Sequence, residues 1–113
     1  MSVAKKQKTD LLRGTLDLLI LRTLDLQPLH GVAVSDRIQQ VTGGTFVVQA
    51  GSLFPALHRL EQEGWISGAW TTTPDGRRIK EYNLTLGGRK QLTAQKRQWE
   101  RIVTAVGQVL ESS

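Results

Sequence analysis

"WISGAWTTTPDGRRIKEYNLT", residues 65–85, decides the fold. Thr, Trp, Ile and Tyr flank Pro74-Asp75-Gly76, where proline pre-sets its own backbone angle and glycine accepts positive φ. The pattern predicts a β-hairpin with its tip at residues 74–76. What such a hairpin does depends on the elements that flank it.

Directly before it stands "GSLFPALHRLEQEGW" (51–65). Leu53, Ala56, Leu57 and Leu60 recur at helical spacing, and Gly64 stops the pattern. The opposite face presents Ser52, Pro55, His58, Arg59 and Gln62. Pro55 costs little if the helix starts near Ser52, because an opening turn has no partner for its missing N–H. A start near Gln49 sets the proline deeper and distorts the first turns.

Two more helices precede this one. Asp10 can cap a helix over 10–26, with Leu12, Leu16, Leu19, Ile20 and Leu24 on one stripe and Leu11, Leu18 and Leu21 widening it. Pro28 ends that helix. A shorter helix follows over 31–41, with Val34, Ile38 and Val41 on one face and "TGG" (42–44) closing it. "TFVVQ" (45–49) is a strand stub or an extended connector. After the hairpin, residues 86–111 form a long helix. There Leu92, Trp99 and Val106 stand seven apart, with Ile102 and Val109 interleaved.

Three helices, a hairpin and a long helix make a mainly α protein with the winged helix-turn-helix arrangement. The expected division is a basic tail (1–9), the winged helix-turn-helix domain (10–85) and a C-terminal dimerisation helix (86–113). The Lys5, Lys6, Lys8 cluster of the tail is either a solvated end or an arm that grazes phosphate.

Charge and composition narrow the function. Fifteen Lys and Arg against ten Asp and Glu give a net +5, which favours an anionic partner such as double-stranded DNA. A hydrophobic fraction of 39% is slightly lean for a self-sufficient globule of 113 residues, which leaves room for burial by self-association. The absence of cysteine excludes disulfides and thiolate chemistry. "MSVAKKQKTD" lacks the apolar stretch of a signal peptide, which makes a cytoplasmic location the expectation. The run "LLIL" (18–21), bracketed by Asp17 and Arg22, is too short to cross a membrane.

Enzymatic sites find no support. "TPDGRR" and "LGGRK" miss phosphate-loop spacing. His30 and His58, the two histidines, have no partners at metal-ligand or catalytic spacing, and His30 falls in a turn. Glu61 and Glu63 lie on different helix faces. No catalytic residue, metal or cofactor is expected.

The helix at 51–63 instead has the features of a DNA reader. Its N-terminus offers unpaired N–H groups and a positive dipole end. Arg59 can meet guanine or phosphate, or pair with Glu63 one turn on. Arg77, Arg78 and Lys80, beside the hairpin tip, suit the phosphate backbone or a charged edge that deters strand pairing. Trp65 reads as core. Trp70 reads as core, hairpin aromatic or pocket wall. Trp99 lies on a stripe that would be an exposed apolar patch on a monomer. A twofold dimer would cover it and suit a symmetric DNA reader.

"LLRGTLDLLILRTL" (11–24), "HGVAVSDRI" (30–38), "GSLFPALHRLEQEGWIS" (51–67) and "GRRIKEYNLTLGGRKQL" (76–92) together resemble the PadR family of transcriptional regulators. The resemblance covers nearly the whole chain, and the short C-terminus resembles the subfamily with a single dimerisation helix. It implies a dimeric winged-helix repressor of pseudo-palindromic promoter DNA, relieved by a small molecule or signal. The implied DNA contacts are Gln49, Gly51, Ser52, Phe54, Pro55, His58, Arg59, Arg77, Arg78 and Lys80. The implied dimer interface draws on Leu12, Leu16, Leu92, Trp99, Ile102, Val103, Val106, Val109 and Leu110.

This sequence departs from the family's pattern in three places. Phe54 stands where the family has tyrosine, Gln49 where a small polar cap is usual, and Glu81 precedes Tyr82 in place of a tandem tyrosine. Some relatives hold flat aromatic ligands between tryptophans at the dimer centre. Trp99 reads first as plain packing and second, with Trp70, as the wall of a candidate effector pocket. A winged-helix protein-interaction module is the alternative function, because Glu61, Glu63 and Glu81 lie near the proposed DNA face.

Overall fold

The computed structural model describes residues 2–113, with side chains from Gly14 onward. The readings of Lys5, Lys6, Lys8 and Leu12 therefore concern side chains outside the described residues. In chain order the elements are α1 (Ser2–Leu26), β1 (Leu29–His30), α2 (Gly31–Val41), α3 (Ala50–Gln62), β2 (Ile66–Thr72), β3 (Arg78–Leu84) and α4 (Leu86–Glu111). This is a winged helix-turn-helix carrying a long C-terminal helix, the architecture the sequence predicts.

The structure departs from the sequence reading at several points. Helix α1 begins at Ser2 rather than Asp10. No glycine or proline interrupts residues 2–13, and Ala, Lys and Gln propagate a helix well, so Asp10 falls inside the helix and not at its start. His30 is not in a turn. With Leu29 it forms a short strand on the far side of β3, with Leu29 opposite Tyr82 and His30 opposite Glu81. The sheet therefore has three antiparallel strands in the order β1-β3-β2. Residues 45–49 are an extended connector with no strand partner. Its Phe46 and Val48 pack on the core while Val47 is exposed. Val41, expected on the apolar face of α2, is exposed as well.

The core lies where α1, α2 and α3 meet the base of the sheet. Ile20 and Leu21 of α1, Val34 of α2, Leu53, Leu57 and Leu60 of α3 and Ile66 of β2 are all essentially inaccessible to solvent. Each such side chain contributes about 1.5–3 kcal/mol relative to exposure. Leu16 and Leu92, read from sequence as interface residues, join this core at 8% and 7% exposure. Covered within their own protomer, they leave little surface for a partner.

Helix α4 is anchored firmly at its start. The Thr85 hydroxyl accepts from the Gly88 N–H (3.0 Å) and donates to the Gly64 carbonyl (2.6 Å), an N-cap that ties the helix to the end of α3. Gly88 itself packs against the Trp65 carbonyl, and a Cβ there would lie 1.9 Å from that oxygen. Only glycine permits the approach. Beyond Leu92 the helix continues alongside α1, where Gln95, Trp99 and Ile102 face Thr15 and Leu18; the whole molecule extends 60 × 33 × 26 Å along its principal axes.

Candidate nucleic-acid interface

Helix α3 buries Leu53, Ala56, Leu57 and Leu60. At 100° per residue this turns Gly51, Pro55, His58 and Gln62 directly outward. Arg59 and Ser52 share one edge, Phe54 and Glu61 the other. All of Gln49, Gly51, Ser52, Phe54, Pro55 and His58 are exposed, and Arg59 is half-buried.

The entrance of α3 is tightened. Gln49 is the N-cap residue but its side chain makes no capping bond. Its carbonyl instead accepts from both Ser52 N–H (3.0 Å) and Leu53 N–H (2.9 Å). Pro55 is the sixth helical residue, and the helix runs through it uninterrupted. The bond that proline cannot make would have gone to Gly51, on the exposed opening turns where water can replace it. Phe54 is 46% exposed and its ring rests against Gly31 at the start of α2, where a Cβ would come within 2.9 Å of it.

Arg59 makes a bidentate pair with Asp17 of α1, Nη1 to Oδ2 at 2.7 Å and Nη2 to Oδ1 at 3.0 Å. The hydrogen bonding with Asp17 raises the guanidinium pKa above its already high ordinary value. The sequence offered Glu63 as its partner. The structure gives it one 42 residues away, and a fork so engaged is not free to read guanine. Asp17 was visible in sequence only as a charge bordering an apolar run.

The three wing cations have three different surroundings. Arg77 stands at the tip with its side chain 77% exposed, 3.4 Å from Asp75. Arg78 is exposed, and its guanidinium lies 4.9 Å from the centre of the Trp70 ring, a cation–π stack. Lys80 turns inward, its Nζ 2.8 Å from Glu61 Oε1 on α3. That hydrogen bond is the first cause of its raised pKa. Tyr82, next along this face, is also raised, chiefly by burial. Alternation along β3 puts Glu81 on the opposite face from Arg78 and Lys80, paired with Ala69 and His30.

On the distal part of α4, Trp99, Ile102, Val103, Val106, Val109 and Leu110 are exposed, from 41% at Trp99 to 79% at Leu110. Trp99 and Ile102 also line a cleft of about 500 Å³ against Thr15 and Leu18 of α1. Within it Gln95 Oε1 is buried without a hydrogen-bond partner. Trp70 does not reach this cleft; the structure puts it on the wing. Among the described residues no three His, Asp or Glu side chains gather closely enough to hold a metal ion. No helix there is long and apolar enough to cross a membrane.

A helix-turn-helix with an outward-facing third helix beside a cationic hairpin defines the class of winged-helix DNA-binding regulators. Residues 20–94 match the transcriptional regulator PadR-like family, and the chain belongs to it. The family is one of regulators rather than enzymes, and membership implies DNA binding.

Solved structures agree. A transcriptional regulator from Clostridium thermocellum is 26% identical with a TM-score of 0.81, covering 88% of this chain and 96% of its own. A PadR family transcriptional regulator from Eggerthella lenta is 27% identical with a TM-score of 0.79, covering 99% and 96%. A PadR-like transcriptional regulator from Bacillus cereus is 30% identical with a TM-score of 0.77, covering 92% and 99%.

Proposed function

We propose that the chain is a homodimeric cytoplasmic repressor that binds pseudo-palindromic promoter DNA. The observation that carries this reading is the exposed strip Gly51, Ser52, Pro55 and His58 at the start of α3, flanked by Arg77 and Arg78 of the wing. Small and polar residues at a helix N-terminus admit a groove floor, and flanking arginines neutralise phosphates.

The exposed apolar stripe of α4 supports the dimer, since soluble monomers rarely leave such a face uncovered. The cleft beside Trp99 supports relief of repression by a small flat aromatic molecule. Protein-fluorescence titration with aromatic compounds tests that part, and a Trp99→Leu variant must abolish the response. The interaction-module alternative is weakened by one contact and one placement. Glu61 is engaged by Lys80, and Glu81 lies on the far face of the hairpin from Arg78.

A mobility-shift titration on the protein's own upstream region tests the reading. Specific retardation is expected, with a steep salt dependence from on the order of 6–10 phosphate contacts per dimer. Arg77→Ala with Arg78→Ala should weaken binding to every sequence alike and flatten the salt slope, while Ser52→Ala should change sequence preference. A double wing variant that binds as tightly as the parent, with the same slope, contradicts the wing assignment. Absence of any specific shift favours the interaction module.

A further inference from the structure

Lys80 is the least exposed of the three wing cations, with its side chain at 26% against 77% for Arg77. Its ammonium sits 2.8 Å from Glu61 Oε1, 5.9 Å from the Trp70 ring centre and 5.5 Å from that of Tyr82. A carboxylate and two aromatic rings thus surround one cation, drawn from α3, β2 and β3.

Gly68 of β2 provides the path by which Lys80 gets there. A Cβ at Gly68 would come 2.3 Å from Lys80 Cε and 3.2 Å from Glu61 Oε2. The lysine methylenes therefore cross the space left by the missing side chain. Glu61 in turn lies on the wing-facing edge of α3, not on its outward strip. We propose that Lys80 and Glu61, with Gly68 giving passage, form a latch that fixes the wing against the recognition helix, so that Lys80 positions Arg77 and Arg78 instead of touching phosphate itself.

Tyr82 is buried in the core and pairs with Leu29 of β1, so the hairpin is held up to that point and the latch lies just beyond it. Ile66 and Leu84 anchor the base of the hairpin in the core, whereas Ala69, Trp70, Thr71 and Thr72 are all exposed. A wing free to swing would lose part of its contribution, because phosphate contacts reward a fixed spacing from the helix in the groove.

The role in DNA binding rests on the proposed function, but the latch itself can be read in the protein alone. Hydrogen exchange of the hairpin amides should quicken in both Glu61→Met and Lys80→Met, while the amides around Ile20 and Leu21 keep the parent's protection. The exchanged pair Glu61→Lys with Lys80→Glu should restore slow exchange. With DNA, Glu61→Met should weaken binding about two- to fivefold, although it removes an acid from beside the phosphates. Lys80→Met should weaken binding similarly and leave the salt slope unchanged, whereas a phosphate contact would lower it by about 0.9 per protomer.

Unaltered hairpin exchange in the single variants overturns the latch. Equal or tighter binding by Glu61→Met, or a lowered slope in Lys80→Met, overturns the positioning role. If the parent binds no duplex specifically, the proposed function fails, and the exchange arm still decides whether the latch exists.

Discussion

Helix α3 and the distal part of α4 are both amphipathic, yet they dispose of their apolar faces in opposite ways. Helix α3 closes Leu53, Leu57 and Leu60 into the protomer's core at 2% exposure or less, which leaves its polar face as the working surface. Helix α4 does the same only as far as Leu92. From Trp99 onward its apolar residues meet solvent, so there the apolar face is the one left open to a partner. Amphipathicity alone does not say which face is functional; what the rest of the fold already covers does.

The comparison breaks most visibly if α3 is not closed on the core. Leu57→Ala should cost about 2–5 kcal/mol by chemical denaturation, and a loss below about 1 kcal/mol would contradict the packing. The next largest effect belongs to α4. Val106→Glu should weaken the proposed self-association at least about 100-fold in sedimentation equilibrium, roughly 2.7 kcal/mol, because it would put a charge into the apolar stripe that a partner is proposed to cover. The same change should leave the protomer's circular dichroism intact. Unaltered association would mean that this stripe is not the subunit interface.

Smaller effects sharpen the picture of how α3 is held. Asp17→Ala should cost about 1–3 kcal/mol, allowing for partial solvent screening of its pair with Arg59. A double-mutant cycle with Arg59→Met should recover the coupling; no coupling would mean that the pair does not orient the helix.

The smallest effect is spectroscopic. Tyr82 is the one tyrosine in the chain, so tyrosinate absorbance reports it alone. Burial favours its neutral form, so the folded protein should titrate above 10.0 and the denatured chain near that value. Between those points the native state binds more protons, so stability falls as pH rises above about 10. The raised Lys80 pKa acts in the same direction, its contribution being lost as pH climbs through the folded value. A native midpoint at or below that of the denatured chain would contradict the burial.

Much of this fold is legible in the residues. Helices α2 and α4 and the hairpin announce themselves through periodicity, Gly43-Gly44, and Pro74-Asp75-Gly76. What stays hidden is carried by contacts between distant residues. Strand β1 is only Leu29 and His30, too short for any pattern, and exists because β3 has a free edge beside it. Arg59 and Lys80 look alike in sequence as cations available to DNA. Asp17 and Glu61, 42 and 19 residues away, give each a partner. Local spacing could suggest only Glu63 for Arg59. Leu16 and Leu92, expected at a dimer interface, lie in the core of their own chain, because periodicity does not reveal where a helix leaves that core.

Two copies of α3 and the wing are proposed to act across a twofold axis on DNA. Selection of duplexes from random sequence by the purified full-length chain tests this most directly. Enrichment of an inverted repeat whose half-sites are centred about one helical turn apart, or a multiple of it, is expected. Recovery of no common sequence, or of a lone half-site without symmetry, would contradict it.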